Sequence, residues 1–212
     1  MAEFNFETML EAFERVKFKY DGLASLPDTE GFFLAMNQVA LLFDHLGGGF
    51  VFVRRDILEK TSILKTHFLA NPEENASLQD VVERELRSET ADVKSDPPSA
   101  ARTLLRMMWA AKFIYLLMRE LEKSYQPGNT STLRDAVELA YDEALSEHHS
   151  WIVRKAVGAA MLLLPSKEVF LAKLGVQISK REEYMTRVER SLKPLVDRTY
   201  EFYTDRKILD LP

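Results

Sequence analysis

Apolar residues recur along this chain every three or four positions, the spacing that gathers side chains on one face of a helix. Phe6, Leu10, Phe13, Val16 and Tyr20 set out a first helix, closed by Asp21-Gly22 and Pro27. Asp28-Thr29-Glu30 supplies an N-cap and first-turn acids for a second helix over residues 30–46, ended by Gly47-Gly48-Gly49. Phe50-Val51-Phe52-Val53 has the composition of a strand, but a lone strand would have nothing to pair with. Residues 50–69 are therefore read as a third helix. A short charged helix follows over 77–86. The segment from Ser88 to Ser99, with Asp96-Pro97-Pro98, is the most flexible-looking connection and caps the helix after it.

That next helix, beginning near Arg102 and running to about residue 125, is the one around which the others are expected to be arranged. At about 100° per residue, Arg102, Arg106, Trp109 and Phe113 share one narrow stripe. From Leu104 to Met118 the only charges are Arg106 and Lys112, so most of its circumference must be buried. Two arginines on one stripe are then either rim residues with stems buried and heads in water, or cations held ready for an anion. Beyond the turn Gln126-Pro127-Gly128-Asn129, helices are predicted over 132–146, 152–164 (stopped by Pro165), 166–174 and 176–203. No internal repeat of fixed period is present.

Composition narrows the class. Only 8 glycines and 8 prolines stand in 212 residues, and helix-forming residues dominate, so the fold class is all-α. With 46% apolar content and no low-complexity tract, residues 1–212 are expected to form a single domain. A net charge of -5 without a basic tail argues against binding nucleic acid by charge alone. Cysteine is absent, which removes disulfides, a thiol nucleophile and a cysteine-based zinc site, and fits a cytoplasmic location. The acidic N-terminus is unlike a targeting peptide, and no run approaches the ~20 apolar residues of a membrane span.

Five side chains are candidates for a site: Asp56, Lys60, Arg102, Arg106 and His149. Each has a plainer reading. Asp56 and Lys60, one helical turn apart, make an ordinary solvated pair, and a histidine beside a tryptophan at a helix start is often a cap or a packing residue. No metal site or cofactor is expected.

Three segments taken together resemble the glycolipid transfer protein superfamily in motif order and spacing. They are Gly47-Gly-Gly-Phe-Val-Phe-Val-Arg-Arg-Asp56-Ile-Leu-Glu-Lys60, Arg102-Thr-Leu-Leu-Arg106, and His148-His149-Ser-Trp151-Ile-Val-Arg-Lys155, with Leu164-Pro165 beyond. The resemblance spans about residues 30–175 and implies a two-layer helical sandwich. Such a fold takes one sphingolipid, head group at the surface and chains between the layers. The very apolar predicted helices agree with such an interior, although ordinary core packing accounts for any one residue.

By the same resemblance, Asp56 accepts hydrogen bonds from the ceramide amide and a nearby hydroxyl, and His149 donates to the acyl carbonyl. Lysine and arginine at Lys60 and Arg106, with Arg102, follow the pattern of the ceramide-1-phosphate transfer branch. Glycolipid-selective members have asparagine and a sugar-stacking tryptophan at the positions of Lys60 and Arg106. Three cations against Asp56 leave an excess of about two positive charges, close to the ~1.5–2 negative charges of a phosphate monoester. Trp109 departs from that branch, which usually has a basic residue there. It is a candidate for stacking on a head group, with core packing as the alternative. Ser150 stands where the family usually has glycine. Trp151 resembles the family tryptophan that docks at a membrane interface, with burial against the following helix as the alternative.

The expected function is therefore non-enzymatic transfer of a ceramide-1-phosphate-type lipid by a monomer that touches membranes transiently. Glycosylceramide transfer and sphingolipid sensing remain alternatives, and so does a helical lipid hydrolase using Asp56 and His149.

Overall fold

The computed structural model describes residues 4–87 and 98–211, and the regular structure among them is helical, with two isolated β-bridges. The α-helices are α1 (Phe6–Glu14), α2 (Thr29–His45), α3 (Val51–Ala70), α4 (Leu78–Arg87), α5 (Ala100–Lys123), α6 (Leu133–Ala144), α7 (Trp151–Met161), α8 (Lys167–Lys173) and α9 (Arg181–Asp205). Single 3-10 turns at Gly48–Phe50, Ser146–His148 and Ile178–Lys180 lead into α3, α7 and α9. The connection expected from Ser88 to Ser99 lies outside the described residues up to position 97.

Most helices begin where a polar side chain satisfies a first-turn amide. The Asp28 carboxylate accepts from Gly31 N at 2.7 Å, Ser99 Oγ accepts from Arg102 N at 3.1 Å, and Thr132 and Asp135 form a reciprocal capping box. Residues 51–70 are helix, as the missing strand partner required. Three predicted elements differ, the last of them, predicted over 176–203, because its α-helix starts only at Arg181 after a 3-10 turn. The first helix stops at Glu14 instead of continuing to Tyr20, because Asp28, eleven residues on, accepts from Lys17 N through its carboxylate and donates its own N–H to Lys17 O at 2.7 Å. The 152–164 helix ends at Met161, leaving Leu162 and Leu163 exposed.

Helix α5 runs through the middle, against α6 and α9 on its flanks and α3 and α4 elsewhere; α2 packs on α3 and α1, and α1 returns to α9. This is the expected two-layer arrangement around one continuous apolar core. Fourteen of the 24 residues of α5 are buried, among them Leu104, Met108, Phe113 and Leu117. Helix α3 buries only Ile57, Thr61 and Leu64, so most of its side chains face outward or into a cavity.

Candidate functional site

Between α3, α5, α6 and α7 lies a cavity of about 510 Å³, within the range that holds small ligands. Its wall is apolar: Phe43, Phe50, Ile57, Phe113, Val157 and Met161. Its rim is polar, with Asp56, Lys60, Arg106, His148 and His149, and with Arg55 and Glu59 as an additional pair of opposite charges. Four of the five predicted head-group residues, drawn from three distant segments, therefore meet at one opening.

The geometry of α3 places Asp56 and Lys60 on one face, and the two form a direct ion pair. Lys60 is the more covered partner, its side chain 19% exposed against 58% for Asp56. Arg106 faces the same opening from α5. Burial lowers its pKa from the ordinary arginine value, the neighbouring Arg102 lowers it further, and Asp56 acts in the opposite sense. Arg102 is half-buried one turn back; it is not among the residues lining the cavity, and its charge reaches the site through Arg106.

His149 is held by a residue that sequence spacing does not reveal. Tyr141, buried on α6, places its hydroxyl 2.9 Å from His149 Nδ1. Burial also lowers the pKa of His149 below the usual imidazole value, as do His148 and Lys60, with Asp56 opposing. His148, quoted in the motif but not proposed for the site, also lines the cavity. Its imidazole lies flat on the Trp109 indole, ring centroids 3.7 Å apart and planes 4° apart. Trp109 thus faces the cavity beside Arg106, stacked on a protein ring and packed on the core.

The approach of α3 to α7 depends on the glycine run. Gly47 adopts φ +107°, a left-handed conformation that ends α2. A Cβ on Gly49 would stand 3.1 Å from Ala160 Cβ, so a bare backbone is needed where the turn before α3 meets α7. Helix α7 turns an apolar surface outward beside the opening: Trp151 is 65% exposed, Ile152 72%, and Lys155 Nζ lies 5.8 Å from the Trp151 ring centroid. Burial of Trp151 against the following helix does not occur. No described helix is long and apolar enough to cross a membrane.

This arrangement of helices is one that known proteins share. The glycolipid transfer protein (GLTP) family model matches residues 27–176, and the chain belongs to that family. It is 33% identical over 175 residues to the ceramide-1-phosphate transfer protein of Xenopus tropicalis, covering 79% of each chain. It is 31% identical over 176 residues to that of Homo sapiens, again covering 79% of each. Among solved structures, the apo-form of mouse ceramide-1-phosphate transfer protein superposes with a TM-score of 0.82 at 25% identity, over 99% of this chain and 100% of the other. The human protein in complex with 12:0 ceramide-1-phosphate gives 0.82 at 24%, over the same shares, a likeness of fold.

Proposed function

We propose that this chain extracts one ceramide-1-phosphate-type sphingolipid from a membrane and delivers it, chemically unchanged, to another. The observation that carries this reading is the gathering of Lys60 and Arg106, with Asp56 and His149, at the mouth of an apolar cavity. Lys60 and Arg106 would hold the phosphate, Arg102 adding its charge from behind. Asp56, an acceptor-only carboxylate, would take the ceramide amide N–H, and His149 would donate to the acyl carbonyl. The hydrocarbon would occupy the wall of phenylalanines and aliphatic residues.

Two further features support the reading. A neutral sugar at this rim would leave Arg106, whose charge burial already disfavours, without an anion, whereas a phosphate would supply one. The exposed Trp151 and Ile152 would enter the membrane interface beside the opening, so that the lipid passes into the cavity without crossing water. The protein would act as a monomer in the cytoplasm.

The test is transfer of labelled lipids between phosphatidylcholine vesicles, followed by mass analysis of the lipid recovered. Ceramide-1-phosphate should move faster than glucosylceramide and be recovered intact. Faster movement of glucosylceramide would overturn the head-group assignment, tight binding without movement would make the protein a sensor, and a cleaved lipid would make it a hydrolase.

A further inference from the structure

An aromatic ring at the rim of a lipid site usually suggests a platform for a sugar. Here the platform is covered. Trp109 follows Arg106 by three residues on α5 and faces the cavity, yet the His148 imidazole lies parallel to its indole at 3.7 Å. That interval is van der Waals contact, so nothing fits between the rings. A pyranose stacking on this indole needs the same interval on the same face, and the ring also packs on the hydrophobic core.

The imidazole is set in place by its own backbone. His148 ends the 3-10 turn Ser146–His148, its N–H donating to Leu145 O at 3.1 Å, and its Nε2 lies 3.3 Å from Glu147 Oε1. The stack therefore joins α5 to the turn before α7 and stands as a side wall next to the cation that faces the head group. A compact phosphate makes no demand on the covered indole face. A hexose is larger than a phosphate, and to stack on this indole face it must displace the imidazole.

We propose that the Trp109–His148 stack is a specificity-determining wall that excludes hexosyl head groups from this site. This deepens the phosphosphingolipid reading and rests on it. The wall acts by filling space and covering an indole face, so an aromatic ring at position 148 should suffice whatever its charge.

The experiment measures transfer of glucosylceramide and of ceramide-1-phosphate, each labelled, between phosphatidylcholine vesicles for the natural chain, His148→Ala and His148→Phe. His148→Ala should raise the ratio of glucosylceramide to ceramide-1-phosphate transfer at least fivefold. His148→Phe, which keeps a ring on the indole, should hold the ratio within twofold of the natural chain. Trp109→Ala supplies a second opening of the same wall and should raise the ratio in the same direction. An unchanged ratio in both alanine variants, with thermal midpoints within a few degrees of the natural chain, would overturn the wall while leaving the phosphate reading standing. A natural chain that already moves glucosylceramide faster overturns the phosphate reading itself, whatever the variants do.

Discussion

The hydroxyl of Tyr141 on α6 lies 2.9 Å from Nδ1 of His149 at the start of α7. Burial raises the Tyr141 pKa, so the phenol keeps its proton and can donate it to Nδ1. The proton of the neutral imidazole then sits on Nε2, where it can serve as a donor. Tyr141→Phe keeps the packing and removes this restraint on tautomer and ring orientation. Loss of one such bond costs about 1 kcal/mol of stability, or about 2–4 °C in thermal midpoint, and transfer should fall severalfold because the imidazole is no longer held. Unchanged transfer in a vesicle assay would show that His149 needs no such partner.

Arg106→Leu separates binding from stability. The folded protein disfavours the charge on Arg106, through burial first and the nearby Arg102 second. Removing the charge should leave the thermal midpoint unchanged or higher. Ceramide-1-phosphate transfer should drop at least tenfold, since a charge-assisted bond to phosphate contributes about 1.5–3 kcal/mol. Normal transfer by the variant would remove Arg106 from the head-group site.

How far these residues could be found from sequence depends on the range of the contact involved. Caps such as Ser99 and Thr132 act within three residues, and the helices they start lie close to their predicted positions. The overrun of the first helix has a long-range cause, because Val16, Phe18 and Tyr20 continue the apolar rhythm while the Asp28 carboxylate captures Lys17 N. Asp56, Lys60, Arg106 and His149 stood out through motif spacing, and Tyr141 did not, since on α6 it reads as one more apolar-face residue. His148 touches a ring 39 positions earlier, which no local pattern encodes. The apolar run after Trp151 suggested an interior helix, whereas Trp151, Ile152, Leu162 and Leu163 are on the outside.

Trp151→Ala tests whether that outside surface meets a membrane. The side chain is 65% exposed, so its removal should not lower the thermal midpoint. Burial of a large apolar side chain contributes about 1.5–3 kcal/mol, and association with phosphatidylcholine vesicles should weaken about tenfold. Equal sedimentation with vesicles for both proteins would place the contact elsewhere.

The glycine run offers a contrast between neighbours. Gly49→Ala puts a methyl group 3.1 Å from Ala160 Cβ and 3.3 Å from its Cα, forcing the turn before α3 away from α7. Overpacking of this kind costs about 1–3 kcal/mol, and the shift moves Asp56 relative to His149, so stability to urea and transfer should fall together. At Gly48 a Cβ meets nothing within 4 Å and φ is not positive. Gly48→Ala should be neutral or slightly stabilising. Equal losses at both positions would mean that chain flexibility, not the contact with Ala160, sets the effect.

The two rim histidines predict a dependence on pH that the bound anion should reverse. Burial lowers both imidazole pKa values from the ordinary 6.5. For His148 the facing charges are Glu147, which opposes the shift, and Lys112, which adds to it; for His149 they are Asp56, which opposes, and His148 and Lys60, which add. With folded pKa values below the unfolded one, the unfolded chain binds more protons through this window. Stability is therefore fully present above about pH 6.5 and declines as pH falls through the depressed values. The thermal midpoint should drop between pH 7 and pH 5, and His148→Phe combined with His149→Asn should flatten that drop. The carboxylates whose pKa values are held down, Glu14, Glu120, Asp135 and Glu168, titrate below their ordinary values near 4 and so lie under this window. A phosphate at the rim, still an anion at pH 5.5 although its second proton binds near about pH 6, favours protonated imidazole, so ceramide-1-phosphate in the cavity should protect the protein more at pH 5.5 than at pH 7.5. Equal protection at both values would mean that neither histidine faces the phosphate.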